Sequence, residues 1–176
     1  MLKPQDVYVL LKLVPIGSRD MPYAKLGAEL LMPASEVHAS LVRCRESHLI
    51  RGEMPNEAVN LSGLEEFLLH GIQYAFPVIP GELTRGVPTS YAAPPLSSFI
   101  QPGNDPPPVW PSPSGKVRGY ALQPLYRKAP EAAFRDPIFY ELLALSDALR
   151  QGKARERNQT AQELRKLTCP RKSLPM

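Results

Sequence analysis

Thirteen of the chain's 21 prolines fall between residues 77 and 130, against five before and three after. Proline has no amide hydrogen and a fixed φ. Runs such as Pro94-Pro95, Pro106-Pro107-Pro108 and Pro111-Ser112-Pro113 therefore enter neither a helix interior nor a central strand. Regular helix is confined to the two ends, and three segments follow: 1–76, a proline-rich arm over 77–130, and 131–176. The arm is too apolar for a solvated linker, because it carries Phe99, Ile100, Val109, Trp110, Tyr120, Leu122, Leu125 and Tyr126. It is expected to be ordered and to wrap over the helices. Val117 to Gln123 alternates, and the Ser114-Gly115 turn follows Val109-Trp110, which predicts one hairpin over 109–123. The expected fold class is mainly α with a small β component.

The first segment reads as helices. Val7, Leu10, Leu11 and Val14 form one face, with Pro4 suited to the first turn and Pro15 and Gly17 ending it. Tyr23, Leu26, Leu30 and Leu31 mark a second helix after Pro22. Val37, Leu41 and Cys44 or Arg45 mark a third, running to His48 with Ser35 as its expected cap. Leu49 to Arg51 and Ala58 to Leu61 read as two short strands around a tip at Gly52 to Asn56. A fourth helix begins at a cap expected at Ser62 and carries Leu64, Phe67, Leu68 and Ile72 on one side.

This order resembles a winged helix-turn-helix of the MarR-like regulators of bacteria. The resemblance rests on Ala24-Lys25-Leu26-Gly27-Ala28-Glu29-Leu30, Ser35-Glu36-Val37-His38-Ala39-Ser40-Leu41-Val42-Arg43 and His48-Leu49-Ile50, within residues 1 to about 62. The chain departs from the pattern at Cys44, where leucine is usual, and at His48, where glycine is usual. The resemblance implies a sequence-specific regulator of transcription that binds double-stranded DNA, as a homodimer. Ser35, Glu36, His38, Ala39, Arg43 and Arg45 on the third helix would face the groove, with Arg51 at the wing. The alternative is a protein-interaction module, such as the antitoxin or adaptor subunit of a two-protein system.

Charge bears on that choice. Residues 1–76 hold seven Lys and Arg against nine Asp and Glu, the arm five against two, and the last segment nine against six. The net +4 thus comes from outside the segment that resembles a DNA reader. Asp136-Pro137 signals a helix start, and Ile138, Leu142, Leu145 and Leu149 form a stripe that must cover the first segment or pair with a second copy. Beyond Gly152 a polar helix is expected, and the basic groups Arg150, Lys153, Arg155, Arg157, Arg165, Lys166, Arg171 and Lys172 are candidate phosphate contacts.

Chemistry has little foothold. The sequence has no nucleophile elbow, no His-Glu-x-x-His, no Cys-x-x-Cys and no phosphate loop, so no enzyme, cofactor or metal is expected. Cys44 and His48 lie four apart but lack further ligands, and Cys44 reads as a small core hydrophobe. In Leu83 to Ser90 the expectation is structural packing, with Arg85 paired to a carboxylate. Trp110 and Tyr120 are expected in the core rather than stacking on bases. No run approaches the roughly 18 apolar residues of a membrane span, and two cysteines make no disulfide framework, so a cytoplasmic protein is expected.

Overall fold

Helix α1 (Pro4–Leu13) is buried continuously from Asp6 to Leu13. The reason is visible in its residues: besides the predicted stripe, Tyr8, Val9 and Leu13 make the opposite side apolar too. A helix apolar all round has to be covered all round. The computed structural model describes residues 1–17, 21–53 and 56–169, and the molecule is mainly helical with a small sheet component.

One side of α1 is covered by the remaining N-terminal helices. α2 (Tyr23–Leu30) ends at Leu31, whose φ is +54°, and Met32-Pro33 leads directly into α3 (Ala34–Glu46). Pro33 holds the N-cap position without a side-chain bond, so Ser35 lies inside the helix and is not its cap. A Cβ at Gly27 would stand 2.5 Å from the Met32 carbonyl oxygen, so the tight α2–α3 turn depends on that glycine. His48 leaves α3 with a φ of +58°. That is the left-handed conformation glycine adopts most cheaply.

Strands β1 (Ile50–Arg51) and β2 (Ala58–Val59) pair antiparallel, Ile50 opposite Val59. α4 (Leu61–His70) is capped by Asn60, whose side chain accepts from the Gly63 amide at 3.2 Å. The cap is therefore two residues earlier than Ser62. A single turn, α5 (Ile72–Ala75), closes the segment.

The arm is ordered but holds more than a hairpin. β3 (Leu83–Pro88), β4 (Pro108–Pro111) and β5 (Val117–Ala121) form a closed ring in which each strand pairs with the other two. β4 and β5, expected as hairpin partners, run parallel, and both are antiparallel to β3. Proline hid this arrangement, because β3 ends in Pro88 and β4 begins and ends in proline. Strands only four to six residues long satisfy their remaining donors around a ring this small. The ring is tight enough that a Cβ at Gly119 would stand 1.9 Å from the Pro107 carbonyl oxygen, and one at Gly86 2.0 Å from that of Trp110.

Three helices complete the fold: α6 (Ala129–Ala133), α7 (Pro137–Arg150) and α8 (Ala154–Thr168). Asp136 caps α7 as expected, accepting from the Phe139 amide at 3.1 Å, with Pro137 at the first helical position. The α7 stripe is used within the chain. Phe139, Leu142, Leu143, Leu145, Ala148 and Leu149 join one buried cluster with Val7, Leu10 and Leu11 of α1, Leu64 and Leu68 of α4, and Val87 and Trp110 of the ring. That stripe is thus not available for pairing with a second copy.

Two buried polar knots fix the segments to one another. Lys12, 7% exposed, reaches Asp136 at 2.8 Å and Glu29 at 3.1 Å, tying α1 to the α7 cap and to α2. Asp147, 1% exposed, accepts from Thr89 Oγ1, Trp110 Nε1 and Arg150 Nη1 at 2.7–2.8 Å. With every donor and acceptor matched, such a knot aligns the ring on α7.

Candidate interaction surfaces

The outer side of α3 presents Ser35, His38, Ala39, Val42 and Glu46, spaced three, one, three and four, which is one helix face. Ser35, Glu36, His38 and Glu46 are exposed, while Ala39 and Val42 are half-buried. The His38 ring meets Tyr23 of α2 edge-on at 5.2 Å.

Both arginines of the helix turn away from this face. Arg43 grips Asp6 of α1 through Nε at 2.8 Å and Nη2 at 2.7 Å, and Asp6 is fully buried. Arg45 donates from Nε to Glu57, itself 2% exposed, at 2.6 Å. Both guanidiniums are thus paired with buried internal carboxylates. Among the described residues of this segment, Lys25 and Arg51 are exposed, and so are Glu36, Glu46 and Glu53.

The C-terminal basic groups are dispersed. Arg150, expected at a phosphate, is 5% exposed, and its guanidinium is taken up by Asp147 and by the carbonyls of Phe76 and Gln123. A group so enclosed reaches no phosphate. Arg157 donates to the Leu69 carbonyl of α4, and Arg165 pairs with Glu65 at 2.8 Å. Lys166 pairs with Glu163. Arg155 and Lys153 are exposed, and the Lys153 ammonium lies 5.6 Å over the Tyr91 ring. Arg171 and Lys172 lie outside the described residues. None of the contacts that Arg157, Arg165, Lys153 and Lys166 make leads to α3.

The arm distributes its polar residues differently from expectation. Trp110 is core, held by Asp147, and Thr89 and Ser90 are buried in bonds to Asp147 and Gln151. Arg85 has no carboxylate partner among the described residues. It stands exposed directly opposite Arg118 on the neighbouring strand. Tyr120, expected in the core, is 37% exposed.

Cys44 is fully buried, and burial pushes its thiol far above the usual range, with the nearby Asp6 adding to the shift. It is a neutral core side chain, held at 3.8 Å from the Asp6 carbonyl oxygen. Tyr8 is held un-ionised in the same way, by burial first, and its hydroxyl donates to the Leu30 carbonyl. Among the described residues no group of three His, Cys, Asp or Glu is placed to hold a metal ion. No helix among them is long and apolar enough to cross a membrane. A hollow of about 580 Å³ lies where the end of α3 meets α4, between His48, Asn60, Glu66, Phe67 and His70.

No family model, curated protein or solved structure matches the chain.

Proposed function

We propose that the chain is a protein-interaction module, the adaptor or antitoxin subunit of a two-protein system, built on a winged helix-turn-helix. In this reading α3 offers its outer face to a partner protein rather than to a DNA groove. The observation that carries it is the fate of Arg43 and Arg45. DNA affinity comes chiefly from cations set against phosphates, and the two arginines of this helix are bonded to Asp6 and Glu57. What the face offers instead is small and half-apolar at its centre, Ala39 and Val42, with Glu36, His38 and Glu46 at its rim. That chemistry fits a partner presenting an apolar knob ringed by lysine or arginine.

A second reading, the sequence-specific regulator of transcription, is favoured by Ser35 and His38 standing exposed on the row and by Arg51 standing exposed on β1. The experiment that separates the two is affinity capture from the native host with wild type and Val42→Glu side by side, alongside a duplex-DNA gel shift at two salt concentrations. The adaptor reading expects a stoichiometric protein partner lost in Val42→Glu. A salt-sensitive duplex complex lost in Ser35→Ala or His38→Ala, with no protein partner, overturns it.

A further inference from the structure

The exposed face of the β3–β5 ribbon carries an arrangement that packing does not explain. Arg85 and Arg118 are cross-strand partners, so their side chains leave the same face from directly opposite positions. Like charges there repel, and among the described residues neither has a carboxylate within ion-pair distance. Lys116, just before β5, is exposed as well, and by strand alternation it shares the face with Arg118 and Tyr120. Leu83, 44% exposed, is paired with Tyr120 on this face. Three cations thus flank an exposed aromatic and a leucine, and the basic excess of the arm is concentrated here.

Tyr120 is also a wall of something else. On its other side β5 pairs with β4, Tyr120 opposite Pro108, and a hollow of about 310 Å³ opens between Tyr120, Tyr91, Pro106, Pro108, Gln151 and Lys153. That volume is at the lower end of small-ligand sites, roughly 300–1,000 Å³. Two tyrosine rings and three prolines, Pro80 among them, give it flat apolar walls. Gln151 and the Asp105 carboxylate at its edge supply polar groups of both kinds, and Lys153 brings a fourth cation. Burial raises the Tyr91 phenol, with Glu156 and Asp105 adding to the shift, so the ring presents a neutral face.

We propose that this face and hollow bind single-stranded nucleic acid, with phosphates on Arg85, Arg118, Lys116 and Lys153 and an unstacked base lodged against Tyr120 and Tyr91. Lys116 and Arg118 stand two strand residues apart, about 7 Å, with Arg85 directly across from Arg118, a spacing that suits neighbouring phosphates of an extended strand. A base-sized hollow beside it is of use only to a strand whose bases are free, because a duplex keeps its bases stacked. Acidic peptides satisfy the cations but leave the aromatic hollow without a role. The inference stands apart from the α3 reading, since it uses no residue of that helix.

The test is fluorescence anisotropy of the full chain with labelled oligo-dT, oligo-rU, a duplex of equal length and, as a plain polyanion, polyglutamate. The expected result is salt-sensitive binding of the single strands in preference to duplex and polyglutamate. Arg85→Gln/Arg118→Gln should weaken it by tenfold or more and lower the salt slope by about 1.4, two contacts at about 0.7 each. Tyr120→Ala should weaken oligo-dT binding about fivefold or more, on the scale of base–aromatic stacking, and leave polyglutamate unchanged. Both variants are surface changes, and thermal melting shows whether they fold. Three results overturn the proposal: no salt-sensitive complex with either single strand, duplex bound as tightly as single strand, or folded Tyr120→Ala binding oligo-dT like wild type. Val42→Glu leaves the binding intact, so failure here and failure of the adaptor reading are separable.

Discussion

Arg43→Ala separates a structural arginine from a DNA-contacting one. Asp6 is fully buried and receives three bonds, two from Arg43 at 2.7 and 2.8 Å and one from the Lys3 amide at 2.7 Å. Removing one partner of a buried ion pair costs about 3–5 kcal/mol, because the other charge is left uncompensated. Here the guanidinium has one flank open to water, at 17% side-chain exposure, and Asp6 keeps its amide bond, so about 2–3 kcal/mol is the reasoned loss. For a chain of this length each kcal/mol moves Tm by about 2–4 °C, which predicts a fall of roughly 4–12 °C. The assay is calorimetric or circular-dichroism melting of both proteins at neutral pH. It is paired with a duplex-binding titration held well below the lower Tm. The expected outcome is lower stability and unchanged duplex binding. An unchanged Tm with a lost duplex complex would refute the reasoning, since Arg43 would then be spending its charge on phosphate.

Four further outcomes follow from the same geometry. Asp147→Ala strands the buried guanidinium of Arg150 and the Trp110 indole, so stability should fall by about 3–5 kcal/mol, read in urea titrations, with Trp110 emission shifting to the red. Burial alone would raise the Asp136 carboxyl, but the Lys12 ammonium and the Phe139 and Ile138 amides outweigh it and hold the pKa below its ordinary value. Its stabilisation is therefore present above about pH 4 and lost as pH falls through the depressed value, and Asp136→Asn should flatten that acid limb of the stability curve. Tyr140, its hydroxyl bonded to the Pro88 carbonyl and pushed up to about 12 by burial, should ionise late in an ultraviolet titration, and Tyr140→Phe should diminish that late phase. Gly119→Ala drives a methyl into the Pro107 carbonyl and should cost soluble expression, whereas Gly103→Ala, with nothing within 4 Å, should express normally.

The helical ends were legible because their signals are local. Pro4 at a helix start, the Asp136-Pro137 cap and the Val7–Leu10–Leu11–Val14 stripe each act over one or two turns, and the structure keeps all three. The ring was not legible, because its strands are held by pairings between residues 83–88, 108–111 and 117–121. The prolines that argue against strands are tolerated only by that non-local closure. The caps expected at Ser35 and Ser62 lie two positions earlier, since Pro33 and Asn60 also suit the start of a helix. For the candidate surfaces the loss was greater. Arg43 and Arg45 look like DNA contacts in a one-dimensional reading, and only the fold reveals Asp6 and Glu57 beneath them. Two clues were present in the chain: the acidic balance of residues 1–76, and a first helix that carries Asp6 and Lys12 yet is apolar around most of its circumference, so that both charges needed partners.

In the proposed role, α3 meets a protein and not a duplex. Its most direct test is an anisotropy titration of wild type, Ser35→Ala and His38→Ala against a pool of random-sequence duplexes and the duplex upstream of the protein's own coding region, at low and physiological salt. The account predicts that the three proteins give the same isotherms, with no complex that depends on the α3 row. A tight, salt-sensitive complex with the upstream duplex that either substitution abolishes would contradict it.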